Sequence, residues 1–318
     1  MVTRGFWSSL LLVGTACASP SPTPPLAPVP SASAAVASSS SAKPVAVAQA
    51  PAAPKSTFRD CGELACKAFP TAASAFDFVL QDQPRVLAIG EAHAQSDGPA
   101  LASSTRRFMD GLLPRLAPRA SDLVIELWLA NGSCGKVEQK VAQQQTEVTA
   151  PQAATNQNEF VELGHKAKAA GIMPHALVPT CEQYQKIASA GAADIEQMLV
   201  MLKTVTARDV TQLLAKRGPE RLVVAYGGAM HNDLVPREGR ADFSFGPELA
   251  QATGDRYVEL DLVIPEQIKD TEAWRALPWY PHYSKIGTGT EAYLFSWAPH
   301  AYALIFPRSP APAPEATP

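Results

Sequence analysis

Four stretches of this chain carry side chains that could move protons. The first is Val86-Leu87-Ala88-Ile89-Gly90-Glu91-Ala92-His93, an apolar run that ends in a glycine, a carboxylate and an imidazole. The second is Leu123-Val124-Ile125-Glu126-Leu127-Trp128, where Glu126 interrupts an otherwise apolar segment. The third ends near His175, and the fourth runs from Leu222 through Tyr226-Gly227-Gly228 to His231. A histidine beside carboxylates is suited to general acid–base work near neutral pH. The pattern predicts His93 as a general base on water, oriented by Glu91 or Glu126. His231 would then polarise a substrate carbonyl or assist the leaving group. Glu91, His93, His231 and His175 could alternatively hold zinc, manganese or cobalt, which accept mixed nitrogen and oxygen donors. The chain has neither an HExxH nor a GxSxG motif, so a serine nucleophile is not expected.

These residues work together only if one fold delivers them to one place. The pattern alternates. Residues 71–81 read as a helix and 85–90 as a strand. A helix is expected over 98–116, with apolar residues recurring at Leu101, Phe108, Leu112 and Leu113. Residues 122–128 read as the next strand, and the glutamine-rich 134–148 as an exposed helix or lid. A helix over 157–170 is stopped by Gly171. A third strand spans 172–178, followed by a long helix over 191–216 with a possible break near Thr206. Then come a strand at 222–226, a short helix near 247–253, and strands at 256–264, 291–297 and 301–306. Ala298-Pro299-His300 joins the last two as a hairpin. Such alternation implies right-handed crossovers. The fold expected is α/β, a mostly parallel sheet flanked by helices, with an antiparallel edge hairpin near the C-terminus.

In a parallel sheet the C-terminal strand ends share one rim, where ligands bind in open α/β folds. Glu91, His93, Glu126, His175 and His231 all fall at or just past such ends. Glu126 is the most telling of them, because burying a charge without a partner is costly. The competing reading pairs it with Arg106 or Arg107, or with a local backbone group. His165 reads as a surface residue on a helix. His282 and His300 sit in aromatic and proline-rich loops and are left out of the site.

Residues 1–17 read as an export signal. Arg4 supplies the positive start, and the apolar core from Leu10 to Gly14 is too short to span a bilayer. Thr15-Ala16-Cys17 resembles a bacterial lipoprotein signal, with Cys17 as the lipidated residue. An ordinary cleaved signal is the alternative. Ala18 and Ser19 follow the cysteine, with no aspartate, which favours the outer membrane of a Gram-negative cell envelope. The expected location is therefore the envelope, with the N-terminal lipid in the membrane and the protein facing the periplasm or the cell surface. Residues 18–56 are almost wholly Ala, Pro, Ser and Val and read as a disordered tether. Residues 309–318 read as a disordered tail.

That leaves 57–308 as one domain large enough for a substantial core. The formal net charge is −3 and no basic stripe is present, which argues against a nucleic-acid partner. A small molecule or peptide is the expected ligand. Outside Cys17 four cysteines remain, and an even number in an exported protein favours disulfides. The expected pairs are Cys61–Cys66 and Cys134–Cys181, with a zinc site as the rival.

The Gly90-Glu91-Ala92-His93 segment resembles the opening motif of the ChaN-like haem-binding lipoproteins. These belong to a wider group with the TraB and Tiki proteins and the erythromycin esterases. Glu126 matches that family's acidic residue at the end of the second strand. Tyr226-Gly227-Gly228-Ala229-Met230-His231 is similar to its later glycine-plus-histidine motif. The resemblance spans about residues 84–235. Esterase-branch sequences usually carry one more residue between glutamate and histidine, which places this chain nearer the ChaN branch. The resemblance implies haem on the ChaN side and hydrolysis on the others, metal-dependent proteolysis in the case of Tiki. Haem iron would take histidine or tyrosine as ligand, with His231, His93 and Tyr226 as the candidates.

Overall fold

In the computed structural model, the residues described are 57–98, 101–128, 130–191, 195–286 and 289–310. The expected signal over 1–17 with Cys17, the expected tether over 18–56 and residues 311–318 of the expected tail lie outside them.

The elements run β1 (Arg59–Asp60), β2 (Cys66–Phe69), α1 (Ala72–Val79), β3 (Val86–Glu91), α2 (Ser104–Arg107), α3 (Leu113–Leu116) and β4 (Ala120–Trp128). They continue through α4 (Lys136–Thr149), α5 (Asn156–Ala169), β5 (Met173–Leu177), α6 (Cys181–Ala190), α7 (Glu196–Lys216) and β6 (Leu222–Gly228). The last are α8 (Gly246–Thr253), β7 (Tyr257–Val263), α9 (Glu272–Arg275), α10 (Tyr280–Tyr283), β8 (Ala292–Ala298) and β9 (Ala301–Ile305).

The nine strands form one sheet in the order β1-β2-β8-β9-β7-β3-β6-β4-β5. β9, β7, β3, β6, β4 and β5 are mutually parallel, and β8–β9 is the expected antiparallel hairpin. The sheet is covered on both faces. Leu87, Ile89, Leu123, Val224 and Leu260 pack on one side, with Phe108, Leu112 and Leu163. Val86, Ala88, Val124, Val223 and Ala225 pack on the other, with Met201, Val205 and Val210 of α7. This two-sided burial is why the central strands read as continuous apolar runs rather than alternating ones.

Several elements depart from the sequence pattern. β1 and β2 extend the antiparallel side beyond the hairpin, pairing through Cys66↔Phe295 and its neighbours. They are too short to show periodicity, and the Cys61–Cys66 disulfide closes their turn. The helix expected from 98 begins only at Ser104, because the Ser103 hydroxyl accepts the Arg106 N–H and caps it. A π-turn at Phe108–Leu112 joins α2 to α3. α6 was not expected. A capping box at Thr180 and Gln183 starts it, and Gly191 follows it. α7 is unbroken through Thr206, which is buried within it. Both expected disulfides are present, and Cys134–Cys181 ties the loop before α4 to the start of α6. No helix among the described residues is long and apolar enough to cross a membrane.

Candidate functional site

β3 ends on Glu91, whose partner in register on β6 is Gly228. β4 presents Glu126 inside a bulge, between the Ile125–Ala176 and Trp128–Leu177 pairs. A bulge re-aims a side chain that regular pleating would send elsewhere. His93 and His231 lie in the loops just past β3 and β6. The rim thus assembles Glu91, His93, Glu126 and His231 around Gly228. A Cβ on Gly228 would lie 3.3 Å from His93 Nε2, 3.6 Å from Glu126 Oε2 and 3.7 Å from His231 Cδ2.

The array is layered. Glu91 is buried, and its Oε2 accepts hydrogen bonds from the hydroxyls of Thr105 and Tyr226, each at 2.7 Å. Its Oε1 faces His93 Nδ1 at 3.0 Å. The other His93 nitrogen, Nε2, lies 3.7 Å from Glu126 Oε1. That gap is too long for a hydrogen bond and leaves the Nε2 proton free to find an oxygen between them. Glu126 Oε2 accepts the Gly228 N–H at 2.7 Å. His231 Nδ1 lies 2.7 Å from the Phe243 carbonyl. A carbonyl only accepts, so Nδ1 carries the hydrogen and Nε2 of the neutral ring is left with its lone pair.

The two carboxylates set the charge of His93. Burial by itself would push the His93 imidazole down. The charge of Glu126, with the hydrogen bond and charge of Glu91, outweighs it and raises His93 to about 10. Burial likewise opposes ionisation of Glu126. The neighbouring imidazoles of His231 and His93, and the Gly228 N–H, outweigh it and bring it down to about 2. At neutral pH, Glu126 is a carboxylate and His93 an imidazolium. In that state His93 has a proton to give.

Over this array lies a cavity of about 400 Å³. Its walls are mainly apolar: Leu127 and Trp128 after the bulge, Phe160 of α5, Met198 and Leu202 of α7, and Val148 of α4. Glu91, His93, Glu126 and His231 lie on its polar side. The segment read as an exposed helix or lid, α4, is one of its walls, with Val141 buried. Glu138 holds the entrance to α4 by accepting the N–H groups of Asn131 and Cys134.

Two expected site residues stand elsewhere. His175 lies within β5 and contacts Asp122 at 2.8 Å, near the start of β4. Asp122 also takes a two-point contact from Arg217 at 2.7 and 2.8 Å. It is about 13 Å along the strand from Glu126, at ~3.3 Å per residue. His175 thus belongs to a structural cluster at the opposite end. Tyr226 is buried, its ring 4.9 Å from that of Phe108, and its hydroxyl is spent on Glu91. It positions Glu91 and offers nothing to the cavity. Neither Arg106 nor Arg107 pairs with Glu126. Arg106 is held by Glu162 at 2.5 and 2.6 Å, and Arg107 donates to the Pro307 carbonyl. His165 is exposed, as expected.

Among the described residues, no three of the donors in the expected metal set converge within 4.8 Å. Both Glu91 oxygens and His93 Nδ1 already have partners. The Glu/His array therefore does not fit the four-residue metal centre. Of the three expected haem ligands, the Tyr226 hydroxyl is committed to Glu91 and His93 is held between two carboxylates, while His231 Nε2 has no hydrogen-bond partner among the described residues.

Gly227 makes the array possible. A Cβ there would clash with Glu126 Oε2 and approach Glu126 Cβ at 2.7 Å. Gly227→Ala is expected to cost ~1–3 kcal/mol, the usual penalty for overpacking. Chemical denaturation of both proteins measures it, and an unchanged midpoint would contradict the close approach.

No protein-family model matches the chain, and no curated protein does. Among solved structures, that of the type III effector HopBA1 is similar at a TM-score of 0.39 and 10% identity, over 80% of this chain and 99% of that one. That likeness is too slight to inform function.

Proposed function

We propose that this chain is a hydrolase of the ChaN/Tiki/erythromycin esterase-like kind, acting on an acyl bond in a ligand with a sizeable apolar part. One observation carries the reading: an unshared imidazole nitrogen and an imidazolium meet on the polar side of an apolar cavity. His231 Nε2 takes a proton from water. The resulting hydroxide adds to the carbonyl carbon. His93, held protonated by Glu91 and Glu126, faces the oxygen that gains charge and then protonates the leaving group as the acyl bond breaks. Its preset charge is the kind of electrostatic stabilisation that dominates many enzymes. The apolar walls bind the acyl part and exclude water. No step passes through a metal or a haem.

Two disulfides support an oxidising compartment. With the signal-like start, they are in keeping with an exported lipoprotein anchored through Cys17 in the bacterial envelope. Cys17→Ser is expected to move the protein from the membrane fraction to the soluble fraction after cell lysis. Unchanged partition would remove the lipid anchor from this reading.

The activity is tested with ester and peptide panels graded by acyl length. Turnover should rise with apolar chain length, vanish in His93→Ala and persist in His165→Ala. The competing reading is a haem-binding protein, favoured by the free His231 Nε2 in an apolar cavity. A Soret band that appears with haemin and is lost in His231→Ala, with no turnover on either panel, would favour it over hydrolysis.

A further inference from the structure

The loop 229–245 that brings His231 to the cavity also runs over the end of β7. There it closes on a second group of acids. Glu259 and Asp261 are alternate residues of β7 and point to the same face. Asp233 reaches them from the loop. One oxygen from each of the three lies within 4.8 Å of the other two. Glu259 and Asp261 are 1% and 7% exposed. Among the described residues, no lysine or arginine forms an ion pair with any of the three; Arg237 and Arg240 act on Asp233 only at longer range. Their hydrogen bonds are few. Leu234 N–H donates to Glu259, and Asn232 Nδ2 donates to Asp261 Oδ1 at 3.1 Å.

Asn232 supplies an independent sign. It is 1% exposed, and its Oδ1 is buried with no hydrogen-bond donor among the described residues. The amide orientation is fixed, because Nδ2 also donates to the Ala88 carbonyl and a flip would set oxygen against oxygen. Asn232 Oδ1 and Asp261 Oδ1 each lie 2.6 Å from the place a Cβ on Gly90 would occupy. The orphan oxygen is therefore a near neighbour of that carboxylate oxygen, with the Ala229 Cα packed against the same point. A cavity of about 150 Å³ adjoins the group, lined by Asp233, Glu259, Asp261 and Arg237. A buried acceptor without a donor costs free energy, and so do three crowded carboxylates. A bound cation would relieve both.

We propose that Asp233, Glu259, Asp261 and the Asn232 carbonyl oxygen form a binding site for a hard divalent cation, Ca²⁺ foremost, separate from the Glu/His array. The donors are all oxygen, which selects Ca²⁺, Mg²⁺ or Mn²⁺ over zinc or copper. The ion pins the loop 229–245 to β7 and so holds His231 over the cavity. Burial, and then the neighbouring acids, push the Glu259 and Asp261 carboxyls upward. This is in keeping with a site that lacks its counter-charge.

The test uses the chelator-treated full chain, with CaCl₂, MgCl₂ and MnCl₂ each titrated by calorimetry and melting followed in parallel. The expected result is one ion per chain, with a Kd of ~10⁻⁴–10⁻³ M, typical of extracellular calcium sites, and a raised Tm. Binding should persist in the His93→Ala, His231→Ala double variant, which lacks the imidazoles of the first site. It should be lost in Asp261→Asn and in Glu259→Gln, whose melting in EDTA shows that they fold. No binding of any of the three ions to folded protein would overturn the proposal. So would binding that survives both acid-to-amide changes, or that disappears with the two histidines.

Discussion

Turnover by His231→Ala is expected to fall by ~10²–10⁴-fold, the usual worth of a general base, with KM for long-chain esters little changed. The apolar walls that bind substrate come from α4, α5, α7 and the end of β4, and the imidazole adds little to them. The pH profile is the sharper readout. If His231 is the base and His93 the acid, the rate must decline as pH rises through about 10, where His93 loses its proton. If His93 were the base, the rate would instead climb through that same range, because His93 would become competent only there. A rate that increases up to and beyond pH 10 in the wild type would reverse the assignment. His231→Ala with undiminished turnover would remove it altogether.

The strand ends were legible in the sequence because each joins an apolar run to a glycine and a titratable residue. Two-sided burial makes such runs conspicuous, and Glu126 stands out in its run. The partners that fix the array were not legible. Thr105 and Tyr226 reach Glu91 from a helix and a neighbouring strand, and nothing local marks them. His175 misled for a related reason: its strand position fitted the rim, but its ring turns back to Asp122 at the other end of β4. The acids of β7 were hidden differently. Glu259-Leu260-Asp261 has the alternation of a half-exposed strand, and its polar side is met by the crossing loop 229–245 through Leu234 and Asn232. Spacing is also blind to charge. A histidine between two carboxylates reads as a base until burial and both partners are seen together.

Glu91→Ala is expected to destabilise the fold by ~3–5 kcal/mol, because removing one member of a buried charged cluster strands the rest. The Thr105 and Tyr226 hydroxyls would lose their acceptor, and His93 would keep only Glu126 as counter-charge. The cost should depend on pH with a definite sign. The folded-state pKa of His93 is raised, from 6.5 to about 10. Its stabilisation is therefore complete below the unfolded value and disappears as pH climbs through the folded one. The gap between wild type and Glu91→Ala should thus be widest near pH 6 and narrow towards pH 10. NMR titration of His93 should show its pKa falling in the variant. Glu91→Gln separates charge from shape: it keeps the volume and one acceptor, so it should recover part of the stability without restoring the elevated His93 pKa. Urea unfolding at several pH values supplies the measurement. A Glu91→Ala cost below ~1 kcal/mol, within the range of exposed ion pairs, would mean that Glu91 does not anchor His93, and the imidazolium on which the chemistry rests would lose its support.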